Sequence, residues 1–312
     1  EAMLKDNRIE AMLDELTKNF SRDDVELLKA VLKEHQGYEF EVLQDLMGYT
    51  YRHWPVSVRK FVEDPQYLGL KGQVYPRILD DLEELFEGEY VEAILTGSIG
   101  WGKSTFAEIA MARMIYEVSC FRNPQKVYGL MDGSVIAFII VSVSKRNAEK
   151  VVYHGIRSKL VNSPYFETMF PIEPNIRSEL RLPNHVWVFP VASEETSVIG
   201  YNVFGGVMDE VNFMEVVENS KRGAGRKGGV YDKAVTLQEA LIRRMKSRYL
   251  QKGKLPGILL QISSSKYPED YTERRIEEAK EDPQIFVRRY AQWDTLPKER
   301  FSGTWFWVSL GD

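Results

Sequence analysis

The sequence predicts an α/β fold, a mostly parallel sheet flanked by helices, with an N-terminal helical arm. Three observations lead there. Apolar runs of strand length alternate with longer stretches whose apolar residues recur at helical spacing. One of those runs passes straight into a glycine-rich loop and then a helix, whereas residues 1–70 show helical spacing alone. Strands that alternate with helices bury a parallel sheet on both faces.

The elements follow in chain order. In the arm, Ala11, Met12, Leu13 and Leu16, then Val25, Leu27, Leu28, Val31 and Leu32, recur between charges. Tyr51–Pro55 is aromatic, and Gly69–Pro76 is rich in turn formers. Ile78–Phe86 reads as a helix, Val91–Thr96 as a strand and Ser104–Tyr116 as a helix. A second strand, Val135–Val143, precedes a helix from about Asn147 to Val161. Leu180–Leu182 and Val186–Phe189 flank Pro183-Asn184 as a hairpin. Phe204–Met208 reads as a strand, Leu237–Tyr249 as a helix and Ile258–Ser263 as a strand. The core is therefore expected over 71–265, and 266–312 as a helical or lid segment leading out of it. Thr304–Val308 reads as a strand abandoned when the chain stops, which suggests a piece of a longer protein.

Composition narrows the function classes. The 312 residues suffice for at least one full core, and 44% hydrophobic content with mixed charge describes a globular chain. A net charge of −5 provides no global attraction for a polyanion, so any nucleic-acid surface must be a local basic patch. Lys221–Gly229 carries four cations and four glycines and resists packing. It reads either as a solvated loop or as a basic finger on a nucleic-acid backbone. The single cysteine, Cys120, excludes an intramolecular disulfide, suits a reducing cytoplasm and reads as a small buried apolar residue. The most apolar run, Ser134–Val143, is half a membrane span. His35, His53, His154 and His185 show no zinc-binding spacing with cysteine.

Residues 97–104 read GSIGWGKS and match G-x-x-x-x-G-K-[ST]. Glycines let the backbone curl until successive N–H groups converge on phosphate oxygens, and the following helix points its positive end at the same anion. Gly97, Ser98, Ile99, Gly100, Trp101, Gly102, Lys103, Ser104 and Thr105 are thus the expected ATP-binding residues. Lys103 would reach the β- and γ-phosphates, and Ser104 would take one Mg²⁺ position. Trp101 is unusual inside such a loop and reads as packing on a neighbouring element.

A second carboxylate is needed at the end of a neighbouring strand. Asp209 ends the apolar run Val203–Met208 and would serve the metal; Glu210 would polarise the attacking water as general base. Gly205 and Gly206 make that strand less regular. Another strand, Val135–Val143, fits between lysine and acidic pair, which marks the helicase and translocase (ASCE) branch of P-loop proteins.

VEAILTGSIGWGKST, AFIIVSVSKRNAEK, VIGYNVFGGVMDEVNF and LLQISSS together resemble the ATPase domain of viral (bacteriophage) large terminases. IFVRRYAQWDTLP is similar to the region that precedes their nuclease domain, so the resemblance covers about residues 70–310. It implies an ATP-hydrolysing motor that moves double-stranded DNA into a capsid in the host cytoplasm. It also implies a homo-oligomeric ring, with portal protein and small terminase subunit as partners and no membrane. By position, Gln73, Tyr75, Pro76 and Arg77 fall where the family contacts the nucleotide base, although Arg77 stands where glutamine is expected. Ser263, Ser264 and Ser265 match the coupling motif. Ile99 stands where many terminases carry an arginine, so the transition-state charge must come from elsewhere. Arg157, or failing that Arg146, is the expected finger reaching a neighbouring subunit. Nuclease activity is not expected of this chain.

A helicase-like nucleic-acid-dependent ATPase is the alternative. It should show a second lobe with an arginine motif such as Q-x-x-G-R-x-x-R, and no such run occurs. A module holding nucleotide only as a structural ligand would usually have lost the carboxylates.

Overall fold

The computed structural model describes residues 50–176, 178–192, 200–220, 229–251, 253–304 and 306–307. The helices expected before residue 50 and the basic loop over 221–228 lie outside them.

A seven-stranded sheet organises the domain. Its strands are β1 (Glu92–Gly97), β2 (Ile136–Ser142), β3 (Leu180–Leu182), β4 (Val186–Ala192), β5 (Asn202–Asp209), β8 (Leu259–Ile262) and β9 (Ile285–Tyr290), in the order β3-β4-β2-β5-β8-β1-β9. All neighbours are parallel except β3 and β4. Those two form the expected hairpin, with Asn184 and His185 at positive φ in its turn. Parallel strands need long crossovers, and those from β1 to β2, from β5 to β8 and from β8 to β9 carry helices. α1 (Val58–Glu63), α2 (Pro76–Glu87), α3 (Lys103–Ser119), α4 (Lys145–Val161), α5 (Pro164–Met169), α6 (Lys233–Tyr249) and α7 (Tyr271–Ala279) surround the sheet. α4 is α-helical at both ends and makes a π-turn over Glu149–Tyr153.

Alternation along β2 shows how both faces are buried. Ile136, Phe138 and Ile140 join one core with α2, α3 and α4, including Phe61, Leu82, Phe106 and Tyr116. Ala137, Ile139 and Val141 join the other with Leu241, Ile242 and Met245 of α6 and Tyr271 of α7. Each fully buried large apolar side chain contributes about 1.5–3 kcal/mol. Cys120 is buried in the first core, as expected.

The two glycines of β5 have a packing reason. A Cβ on Gly206 would lie 2.3 Å from Ile139 O, and one on Gly205 would lie 2.8 Å from Ile258 O. Beside them the β2–β5 register skips Phe204, a bulge that bare backbone accommodates.

Three features differ from expectation. Ile285–Tyr290, inside the segment expected as a helical lid, is an edge strand paired with β1 over its whole length. Its Arg288 and Arg289 interrupt the apolar pattern because they reach off the sheet edge, Arg288 to Asp81 at 2.7 Å and Arg289 to Glu273 at 3.1 Å. β6 (Val216–Ser220) and β7 (Gly229–Asp232) form a small antiparallel pair that flanks the basic loop. Among the described residues of the expected terminal strand, Thr304, Phe306 and Trp307 are in no strand.

Candidate functional site

Because β1, β8, β5 and β2 run parallel, the loops after them share one edge of the sheet, where ligands of open α/β sheets bind. β1 ends at Gly97, and α3 begins at Lys103. Gly97, Gly100 and Gly102 hold φ of +110°, +89° and +110°, the left-handed values that turn successive N–H groups inward. Ile99 sits at the tip of the loop, 77% exposed. Ser98 Oγ is buried and has no hydrogen-bond partner. Trp101 is fully buried: its indole N–H donates to Thr96 O at 2.8 Å, and its ring meets Tyr290 edge-on. Its side chain anchors the loop from within the core.

Lys103 is folded back on its own loop, with Nζ donating to Ser98 O at 2.6 Å and lying 5.6 Å from the Trp101 ring centre. Burial lowers its pKa to about 8, and the neighbouring Asp209 carboxyl partly opposes this. Asp209 ends β5 and is 7% exposed. Burial and the like charge of Glu210 push its pKa up to about 7. A carboxyl so desolvated gains strongly from a cation. Glu210 is exposed and adopts φ +54°, ψ +41°, a left-handed conformation uncommon outside glycine. Between β1 and β5 in space stands β8, not the β2 that separates the two motifs in sequence. That intervening strand sets the gap between lysine and acidic pair.

Over residues 26–303 the chain matches the family described as "Uncharacterized protein MJ0330, N-terminal P-loop domain". It belongs to that P-loop family. No curated protein matches it. Among solved structures, it is similar to the HK97 bacteriophage large terminase at 16% identity and a TM-score of 0.49, over 75% of this chain and 43% of that one. The large terminase of the thermophilic bacteriophage D6E is 12% identical with a TM-score of 0.45, over 72% of this chain and 48% of that one. The large terminase ATPase domain of Thermus phage P74-26 is 11% identical with a TM-score of 0.45, over 70% of this chain and 83% of that one. The chain thus spans about half the length of the HK97 and D6E terminases.

Within this P-loop domain the sequence motifs miss one residue, Asn212. It follows the acidic pair in a single 3₁₀ turn and is buried. Its backbone N–H donates to Ser263 Oγ at 3.2 Å, and its side-chain amide donates to Ser264 O at 2.9 Å and Asp270 Oδ2 at 2.8 Å. Its side-chain oxygen accepts the Thr272 N–H, and the Thr272 hydroxyl lies 3.2 Å from that of Thr96 in β1. One buried network therefore joins the turn after the acidic pair, the serines after β8, the start of α7 and the strand that feeds the glycine-rich loop. An Asn two residues after an Asp-Glu pair is the only trace in sequence. Asn212→Ala leaves the buried Asp270 carboxylate short of a donor and is expected to cost about 2–3 kcal/mol, read by urea unfolding.

The other candidates are distributed unevenly. Ser263 is buried and Ser265 exposed; the Ser265 N–H donates to Gly97 O at 3.3 Å, so the serine run touches the loop directly. Ser104 and Thr105 open α3, both half-buried. Arg77 is half-exposed, and its Nε donates to Tyr290 Oη at 2.7 Å. Tyr75 caps α2 and packs on the main core, and Gln73 Nε2 reaches Gly69 O at 3.4 Å. Arg157 lies three turns along α4, half-buried beside Tyr153, with Nη1 buried and unpartnered. Arg146 is exposed in the first turn of α4, at the same sheet edge as the phosphate loop. Among the described residues no group of three or more His, Cys, Asp or Glu could hold a metal, and no helix is long and apolar enough to cross a membrane.

Proposed function

We propose that this P-loop domain hydrolyses ATP with Mg²⁺ and is the motor domain of a DNA-packaging machine of the terminase kind. The observation that carries the hydrolytic reading is the buried Asp209 facing Lys103 across one strand, with Glu210 exposed beside it. The loop glycines, the unpartnered Ser98 hydroxyl and the dry Asp209 carboxyl fit a triphosphate and its cation. Mg²⁺ would be held by Ser104 and Asp209 and would neutralise charge on the phosphate oxygens. Lys103 would leave Ser98 O for the β- and γ-phosphates. Glu210 would take the proton of a water as its oxygen bonds to the γ-phosphorus and the bond to ADP breaks. Positioning and charge stabilisation would do most of the rest.

The motor reading rests on the sequence resemblance, with double-stranded DNA, a portal protein and a small terminase subunit as partners of a homo-oligomeric ring. The Ser263–Ser265 run would then relay the γ-phosphate state through Asn212 to the acidic pair. We propose Gln73, Tyr75 and Arg77 as the base side of the nucleotide. ATP turnover measured with and without double-stranded DNA tests the reading: stimulation supports it, and indifference to DNA in an assembled ring would sink it.

Ile99 supplies no charge at the loop tip, so a trans-acting arginine is expected. The exposed Arg146, at the site edge, fits that role better than the half-buried Arg157, which reverses the order expected from sequence. Turnover per subunit should rise with protein concentration, and Arg146→Ala should remove that rise while ATP affinity stays near the parent's. A neighbour's arginine is worth roughly 10³–10⁵ in rate in P-loop enzymes. Flat turnover from dilute to assembled protein would exclude it.

A further inference from the structure

Directly after β9 the chain crosses the outer side of the phosphate loop. Tyr290 O accepts the Ser98 N–H at 2.9 Å. Gln292 Nε2 donates to Ile99 O at 2.8 Å, and Thr295 Oγ1 donates to Trp101 O at 3.1 Å. The Tyr290 and Trp101 rings meet edge-on with centres 5.2 Å apart. Contact is close enough that a Cβ on Gly97 would lie 2.2 Å from Tyr290 O, and one on Gly100 would lie 2.6 Å from Gln292 Nε2. This crossing is itself tied to α2, because Tyr290 Oη accepts from Arg77 and donates to Asp81.

A loop can aim its N–H groups at an anion only if its carbonyls face away, and carbonyls turned towards protein need donors of their own. Gly97 O takes the Ser265 N–H, and Gly102 O takes the Phe106 N–H of α3. Ser98 O takes Lys103, which must leave it to reach a phosphate. The donors to Ile99 O and Trp101 O come from neither α3 nor the sheet but from Gln292 and Thr295, the two ends of a one-turn helix more than 190 residues along the chain.

We propose that residues 290–295 are a strap that sets the anion-binding conformation of the phosphate loop, with Gln292 and Thr295 as positioning residues. They touch no reacting atom; they hold outward the two carbonyls whose rotation would turn the neighbouring N–H groups away from a triphosphate. The consequence for ATP rests on the nucleotide reading above, whereas the consequence for the loop does not.

Two measurements on the whole chain separate these. Hydrogen exchange of the amides of residues 99–102 without nucleotide reads the strap, and calorimetric titration with Mg·ATP reads its effect on the ligand. Gln292 is exposed, so Gln292→Ala should fold; Thr295 is buried, so Thr295→Val keeps its shape and removes only the hydroxyl. Each variant should speed loop exchange roughly two- to tenfold, the worth of one net hydrogen bond. Each should weaken Mg·ATP binding by a similar factor and raise KM more than it lowers kcat. Thr295→Ser, which keeps the donor, should restore both. Parent-like exchange in Gln292→Ala and Thr295→Val would overturn the strap, as would faster exchange with unchanged ATP affinity. Faster exchange in a chain whose parent binds no ATP would uphold the strap and overturn the nucleotide reading instead.

Discussion

Lys103→Ala is expected to lower ATP affinity ten- to hundredfold and to abolish turnover. A charge-assisted hydrogen bond is worth about 1.5–3 kcal/mol in binding, and on the proposed reading this amine would be the cation that the loop brings to the β- and γ-phosphates. Its Nζ donates to Ser98 O and lies near the Trp101 ring, and burial holds its pKa near 8. Phosphate oxygens would offer it stronger acceptors than that carbonyl, so the amine is expected to contribute to binding rather than to folding. Thermal unfolding of the variant should therefore stay close to the parent's. Lys103→Arg should fail to restore turnover, since a planar fork does not replace a compact ammonium in a half-buried cradle. The measurements are calorimetric ATP binding and steady-state phosphate release. Near-parent turnover in Lys103→Ala would sink the P-loop assignment of chemistry.

Glu210→Gln is expected to separate binding from chemistry. The amide keeps the shape of the side chain and cannot take a proton, so kcat should fall by roughly 10²–10⁴, the usual worth of a general base. Mg·ATP affinity should stay within about threefold, because Asp209 and Ser104 are untouched. Single-turnover phosphate release beside calorimetric binding provides the comparison. Asp209→Asn should instead reduce the Mg²⁺ dependence of binding. If both variants hydrolyse ATP like the parent, the acidic pair has another role, and the strained backbone of Glu210 needs a different explanation.

The parts of the site that could be read in the sequence are those whose requirement is local. Gly97, Gly100 and Gly102 must adopt φ above +85°, which only glycine does at no steric cost, so their spacing shows in one dimension. Asp209 was legible because it ends an apolar run, and its left-handed neighbour was not. The glycines of β5 looked like a defect in a strand; they are explained by Ile139 O and Ile258 O, which belong to neighbouring strands. Asn212 carried almost no signal, since its partners lie 51 to 60 residues away. β9 escaped because Arg288 and Arg289 break the apolar pattern that marks a buried strand. At the sheet edge those side chains leave for Asp81 and Glu273, which only the packed arrangement reveals.

The sequence by itself determined the fold class, the left-handed glycines of the loop after β1 and the place of Asp209 at the end of a strand, because backbone conformational limits and hydrophobic period act over a few residues. Tertiary structure alone decided that β8 rather than β2 separates Lys103 from Asp209, and that Arg146 is exposed while Arg157 is half-buried. It also decided that the carbonyls of Ile99 and Trp101 find their donors in Gln292 and Thr295. Strand order and hydrogen bonds closed over nearly 200 residues depend on how the helices cover both faces of the sheet. That covering is a property of the whole core, which no window of the chain contains.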